Sequence, residues 1–168
     1  FRMRMFKLTT FAGIAMSIAV TASLANADPK PKNSKRADNQ SVANFYAGST
    51  RIWKSCNGGG VYFGSGWEAK SYCNKNAPSV GIGKWSVKRG VICTDIVFYW
   101  KDGAEVKSKP NDSRDCIAHI VDANGKMWRR WNDDADWWSL QDIKSDKGAS
   151  KGFRFKSKFN RTSKKLGL

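Results

Sequence analysis

VICTDIVFYWKDGAEVKSKPNDSRDCIAHIVDANGKMWRRW, residues 91 to 131, decides the fold. Three runs rich in β-branched and aromatic side chains, VICTDIVFYW, CIAHIV and MWRRW, alternate with KDGAE and DANGK, whose glycines supply the positive φ that tight turns need. Such runs joined by turn residues are antiparallel strands. The texture extends outward in both directions. TRIWK, GVYFG, WEAKSYC and IGKWSVK lead into the stretch from Thr50, KRG at 88–90 adds a turn, and WWSLQDI follows. Intervals of roughly ten residues between strands are those of an all-β sandwich or barrel. Because no apolar pattern of helical length follows Gly48, an α/β fold is excluded. The expectation is a mainly antiparallel all-β domain over residues 41–143, a small barrel or strongly curved sheet whose closure would remove open edges.

Before the strands, SVANFYAG (41–48) predicts a helix of about two turns, with Ser41 as N-cap, Val42, Phe45 and Tyr46 on one face and Gly48 as the stop. Its expected role is to plug or cover the sheet. DPKPKNSKRADNQ (28–40) has two prolines and no large apolar side chain, the composition of a flexible linker. Residues 1–27 combine Arg2, Arg4 and Lys7 with an apolar run from Phe11 and small residues at Ala25 and Ala27, the make-up of a secretory signal peptide. The run is about fifteen residues, short of the roughly 20 that span a bilayer. An initiator at Met3 or Met5, no transmembrane segment after cleavage, and a periplasmic or secreted location in a Gram-negative bacterium are the corresponding expectations.

An even number of cysteines in an exported chain reads as disulfides. Cys56, Cys73, Cys93 and Cys116 permit three pairings, among which Cys56–Cys73 and Cys93–Cys116 are favoured because each closes a short loop. Zinc is the competing use of four cysteines, but no C-x-x-C spacing is present. The net charge of +16 is unevenly spread. Residues 41–143 carry fourteen basic and eleven acidic side chains, whereas 144–168 carry nine basic and one acidic. Attraction to polyanions therefore belongs first to this basic tail. Within it, Phe153 and Phe155 alternate with Arg154 and Lys156, which predicts a short extended stretch able to join the sheet.

MWRRWNDDADWW (127–138) holds half of the eight tryptophans. If Trp131 and Trp137 flank a five-residue loop, Arg130 faces Trp138 and Arg129 faces Ser139, so that Met127, Arg129, Trp131 and Trp137 share one side. That aromatic side is either covered or free for a ligand. Asp133, Asp134 and Asp136 lack the glycine and distal glutamate of a calcium loop, and as loop neighbours they do not span a groove as a glycosidase pair must. His119 is the only histidine, so a histidine-based triad would need it with Asp95, Asp115 or Asp122. No G-x-S-x-G elbow accompanies it, which favours a hydrogen-bonded sheet histidine. Asn57-Gly58-Gly59-Gly60 lacks the continuation of a phosphate loop.

YAGSTRIWKS, GGGVYF, GIGKWSV, the pairing of ICTDIVFYW with CIAHIVDANGKMWRRW, and DWWSL together resemble domain-of-unknown-function family number 995, small exported proteins of rhizobia and related bacteria. The resemblance covers residues 42–143 and rests on the order and spacing of glycine and aromatic punctuation. It implies no activity and no catalytic residues. It does imply pairing of Cys93 with Cys116, and makes Cys56, Cys73 and the basic tail additions in this chain.

The resulting expectation is a lipocalin-like barrel or curved sheet that binds without catalysis, cofactor or metal. Lys151, Arg154, Lys156, Lys158, Arg161, Lys164 and Lys165 would engage an anionic envelope polymer, lipid headgroup or acidic polysaccharide. Trp131, Trp137 and Arg129 would add an aromatic contact. Nucleic acid fits the charge but not the export signal. The alternative is an inhibitor or partner of another exported protein acting through the aromatic hairpin; a hydrolase using His119 comes third.

Overall fold

The computed structural model describes residues 29–111, 115–131, 134–140 and 148–168. The expected signal peptide and Asp133 lie outside the described residues. Eleven strands and two helices follow in chain order: β1 Lys35–Arg36, α1 Asn39–Tyr46, β2 Ser49–Trp53, β3 Gly59–Phe63, β4 Glu68–Cys73, β5 Ser79–Lys88, β6 Val91–Asp102, β7 Glu105–Pro110, β8 Asp115–Val121, β9 Met127–Trp131, β10 Trp138–Ser139, β11 Ala149–Lys151 and α2 Lys156–Leu166. The strands form one antiparallel sheet in the order β10-β9-β8-β6-β5-β4-β3-β2-β11, with β1 beside β8 and β7 beside β6. It curls into a half-barrel, the curved-sheet alternative of the sequence expectation.

The turns form where the sequence places them. Lys88 pairs with Val91, leaving Arg89 and Gly90, both at positive φ (53° and 69°), as a tight two-residue hairpin turn. At residues 122–126 the Asp122 carboxylate accepts from Asn124 N, Lys126 N and Trp128 Nε1. The Trp128 hydrogen bond, first among these, holds the Asp122 carboxyl below the usual carboxylate range. Curling is helped by small residues on the inner face of β4 and β5. A β-carbon at Gly81 would collide with the Ser71 and Ile96 side chains. Larger residues there would force the sheet open.

β6 is long enough to serve two neighbours on one edge, pairing β8 through Val91–Thr94 and β7 through Val97–Asp102. Asn111 fills the fork between them: its amide donates to Thr94 O (3.2 Å) and accepts from Ile96 N (3.2 Å). Backbone groups that no strand reaches are thus satisfied by a side chain.

Alternation sorts the sheet into an inner face, with Val61, Phe63, Trp85, Ile92 and Ile96, and an outer face, with Tyr62, Tyr72, Val80 and Tyr99. Helix α1 lies against the inner face and inserts Val42, Ala43 and Tyr46 into that core. Its N-cap is Asp38, whose carboxylate accepts from Ser41 N at 2.8 Å, so Ser41 sits inside the helix and not at its cap. Hydrogen bonding by the Ser41 side chain first, and by its backbone N–H second, keeps the Asp38 carboxyl below its ordinary range. The described part of the expected linker, 29–40, is accordingly more than a linker: Lys35 and Arg36 pair with Val121 and Ile120, and Ala37 is buried in the core. Backbone pairing, which composition does not register, orders this segment.

The described part of the basic tail, 148–168, is likewise folded. Its added strand is Ala149–Lys151, paired with β2, and not the GFRFK stretch. Lys156–Leu166 then forms α2, a helix the sequence reading did not foresee. Phe155, Phe159 and Leu166 pack on Tyr72 and Val80 of the outer face, while Phe153 stacks on Tyr62 with ring centroids 4.7 Å apart. Burying each such aromatic or leucine side chain contributes roughly 2 kcal/mol, enough in sum to hold a helix whose remaining surface is cationic. The sheet is thus covered by α1 inside and α2 outside. Both disulfides have the favoured pairing, Cys56–Cys73 and Cys93–Cys116, the latter between directly paired positions of β6 and β8.

Candidate functional site

The inner face carries polar chemistry that a packed sheet core does not need. His119 on β8 is wholly buried. The Gly90 carbonyl, set by the β5–β6 turn, accepts from His119 N (2.9 Å) and lies 3.2 Å from Nδ1. A carbonyl only accepts, so Nδ1 carries the proton and Nε2 accepts from Tyr46 Oη on α1 at 3.0 Å. Burial, with the positive charges of Arg129 and Arg51 adding to it, pushes His119 down to about 4. It is a neutral strut joining α1 to β8. Its ring nitrogens are engaged by Tyr46 and Gly90, so Asp95, Asp115 and Asp122 do not orient it as a triad would require.

Next to this strut lies a cavity of about 230 Å³ between β2, β3, β6, β8 and β9. Its walls are mostly apolar, with Trp53, Val61, Phe63, Ile92 and Ile117, and Trp131 stands at the edge. Its polar lining comprises Tyr46, Arg51, Thr94, Asp115 and Arg129. Arg51 is buried, with its guanidinium carbon 4.8 Å from the Phe45 ring centroid and 5.1 Å from that of Tyr46. Arg129 lies opposite His119 in the β8–β9 ladder and stacks over Trp131 at 4.9 Å. Partial burial raises the Asp115 carboxyl above its ordinary value. With two guanidiniums against one carboxylate among its described lining residues, the cavity is electropositive. Trp53 also walls a second hollow of about 440 Å³, with Phe98, Trp100 and the Cys56–Cys73 bridge.

The aromatic hairpin differs from its expected register by one residue. Trp138 pairs with Arg129 and Ser139 with Trp128, where Ser139 opposite Arg129 was expected. A slip of one residue exchanges every face. Trp137 leaves the side of Arg129 and Trp131, becomes buried, and receives Arg130 over its ring at 5.1 Å. Trp138 takes its place on the inner side, where Trp131 and Trp138 are 41% and 38% exposed. Arg129 and Trp131 thus remain together, and Trp137 is separated from them. Asp134 and Asp136 are exposed. Among the described residues no group of three or more His, Cys, Asp or Glu side chains gathers into a metal-binding cluster.

Of the nine tail cations, the seven expected to bind, Lys151, Arg154, Lys156, Lys158, Arg161, Lys164 and Lys165, are exposed. In α2, Arg161, Lys164 and Lys165 lie on the side away from Phe159, Thr162, Ser163 and Leu166, and Lys158 lies on the flank, with Nζ 5.9 Å from the Tyr72 ring centroid. No acidic residue interrupts them. Sequence reasoning missed Arg51 and Tyr46 as site residues. The available signal was Arg51 two residues before Trp53 in a strand, which places a cation on a face that also holds a large aromatic.

Fold and site together define a small disulfide-stapled β protein with an internal electropositive cavity and an external cationic helix. A family model described as "Protein of unknown function (DUF995)" matches residues 13–156, and the chain belongs to this family. The match is wider than residues 42–143 and includes β11, while α2 beyond Lys156 lies past it. No curated protein and no solved structure matches the chain. Two disulfides, and the lack among the described residues of a helix long and apolar enough to cross a membrane, are consistent with an exported protein.

Proposed function

We propose that this is a periplasmic or secreted, non-enzymatic binding protein whose basic helix engages an anionic envelope polymer. The observation that carries this reading is the docking of α2 through Phe155, Phe159 and Leu166, which turns Lys158, Arg161, Lys164 and Lys165 toward solvent as a fixed group. Fixed cations release counterions from a polyanion without the cost of ordering a loose tail. Lys151, Arg154 and Lys156 extend the patch along the chain. Acidic polysaccharides and phosphate-bearing lipid headgroups both present the required charge.

The test is binding of the oxidised protein to polygalacturonate, used as the polyanion, at rising salt. Affinity should fall about tenfold or more between 50 and 200 mM salt. Replacing Lys158, Arg161, Lys164 and Lys165 of α2 with Gln should remove most of the binding with the thermal midpoint unchanged. Indifference to both changes would refute the proposal. Deleting residues 150–168 is a poorer test, because it would also uncover Tyr72 and Val80.

Exposure of Trp131 and Trp138 on one side of the hairpin supports a second reading, docking of another exported protein there. Trp131→Ala with Trp138→Ala would then abolish capture of that protein while leaving polyanion binding intact.

A further inference from the structure

We propose that the cavity between β2 and β9 binds a small monocarboxylate with an apolar or aromatic body. The carboxylate would lie between Arg51 and Arg129, and the body against Trp53, Ile92 and Ile117. This site is distinct from the cationic face of α2.

Size sets the first limit. An apolar cavity of about 150 Å³ accommodates benzene, so a volume of about 230 Å³ has room for one ring or a short alkyl chain together with a carboxylate. Chemistry sets the second. Seven apolar side chains are among the described lining residues, whereas a free phosphate or sulfate would need partners around all its oxygens. Sugar hydroxyls fare no better. Among the described lining residues the hydroxyls are those of Thr94 and Tyr46, and Tyr46 already donates to His119.

Charge sets the third limit. Among the described lining residues there are two guanidiniums and a single carboxylate, Asp115. Each guanidinium has five N–H donors in a planar fork that matches a carboxylate, so both arginines can hold contacts within the protein and still present donors to a ligand. The rings of Phe45, Tyr46 and Trp131 lie within about 5 Å of the guanidinium carbons and restrict these side chains beforehand, which lowers the entropy lost on binding. His119 stays neutral near them and adds no competing charge.

The probes are phenylacetate and its neutral isostere phenylacetamide, titrated into the oxidised protein and followed by the indole N–H resonances of Trp53 and Trp131. Phenylacetate should saturate and shift both indoles, with phenylacetamide at least about tenfold weaker, the difference expected of a charge-assisted contact. Arg129→Gln should remove that preference by lowering phenylacetate affinity to about that of phenylacetamide. The comparison of acid with amide on the unaltered protein stands even if this variant fails to fold. The α2 Gln variant should bind phenylacetate as the unaltered protein does. Equal affinity for acid and amide, shifts confined to residues of α2, or no saturation at millimolar phenylacetate would each overturn the proposal.

Discussion

His119 gives the protein a pH dependence of definite sign. Its folded-state value of about 4 lies below the unfolded value of 6.5, so between those limits the unfolded chain binds more protons. Stability from this group is therefore complete above about pH 6.5 and is lost as the pH falls toward 4, amounting to about 3 kcal/mol. Urea unfolding at pH 7, 5.5 and 4.5 should show the midpoint falling, and His119→Phe should flatten that part of the profile. A midpoint that rises on acidification would contradict the buried neutral assignment. The burial of His119 was legible from its place among Ile117 and Val121, but its partners were not. Tyr46 is 73 residues distant, and the Gly90 contact depends on a turn that alternation does not predict. The register of Trp137 was hidden for a similar reason. Loop length in NDDAD is compatible with two pairings, and burial of Trp137 beneath Arg130 selects between them.

At the scale of elements, α2 depends on a narrow apolar stripe. Phe155, Phe159, Thr162 and Leu166 recur at spacings of three and four, the period of a helix. The stripe was obscured because Lys, Ser, Arg and Asn fill the intervening positions and because alternation of Phe153 and Phe155 imitates a strand. Phe159→Ala should destabilise the fold by about 3 kcal/mol and speed proteolysis after the tail lysines, while Lys164→Gln on the opposite side should leave stability within about 0.5 kcal/mol. Equal effects of the two would mean that α2 is not docked through this stripe. The central strands were far more legible, since VICTDIVFYW and CIAHIV carry both β propensity and alternation, and their pairing is recorded by Cys93 opposite Cys116.

For the whole molecule, two short-range disulfides constrain a half-barrel whose sheet does not close on itself. Loops of 17 and 23 residues imply roughly 3 kcal/mol of stabilisation from each bridge, largely through the unfolded chain. Reduction with dithiothreitol should lower the denaturation midpoint markedly, and Cys93→Ser with Cys116→Ser should account for about half of the loss. An unchanged midpoint after complete reduction would remove this account. The overall curl was legible as a choice between barrel and curved sheet; its openness was not, because closure is set by how the end strands meet and not by any one strand. The fork in β6 has a practical consequence of another kind. Beyond it β7 pairs, among the described residues, with β6 alone, and all six of its residues are exposed. The turn at Gly103 is therefore a place where foreign sequence can be spliced in, and an epitope inserted there would give a handle for capturing the intact protein with both its cavity and its cationic helix unobstructed.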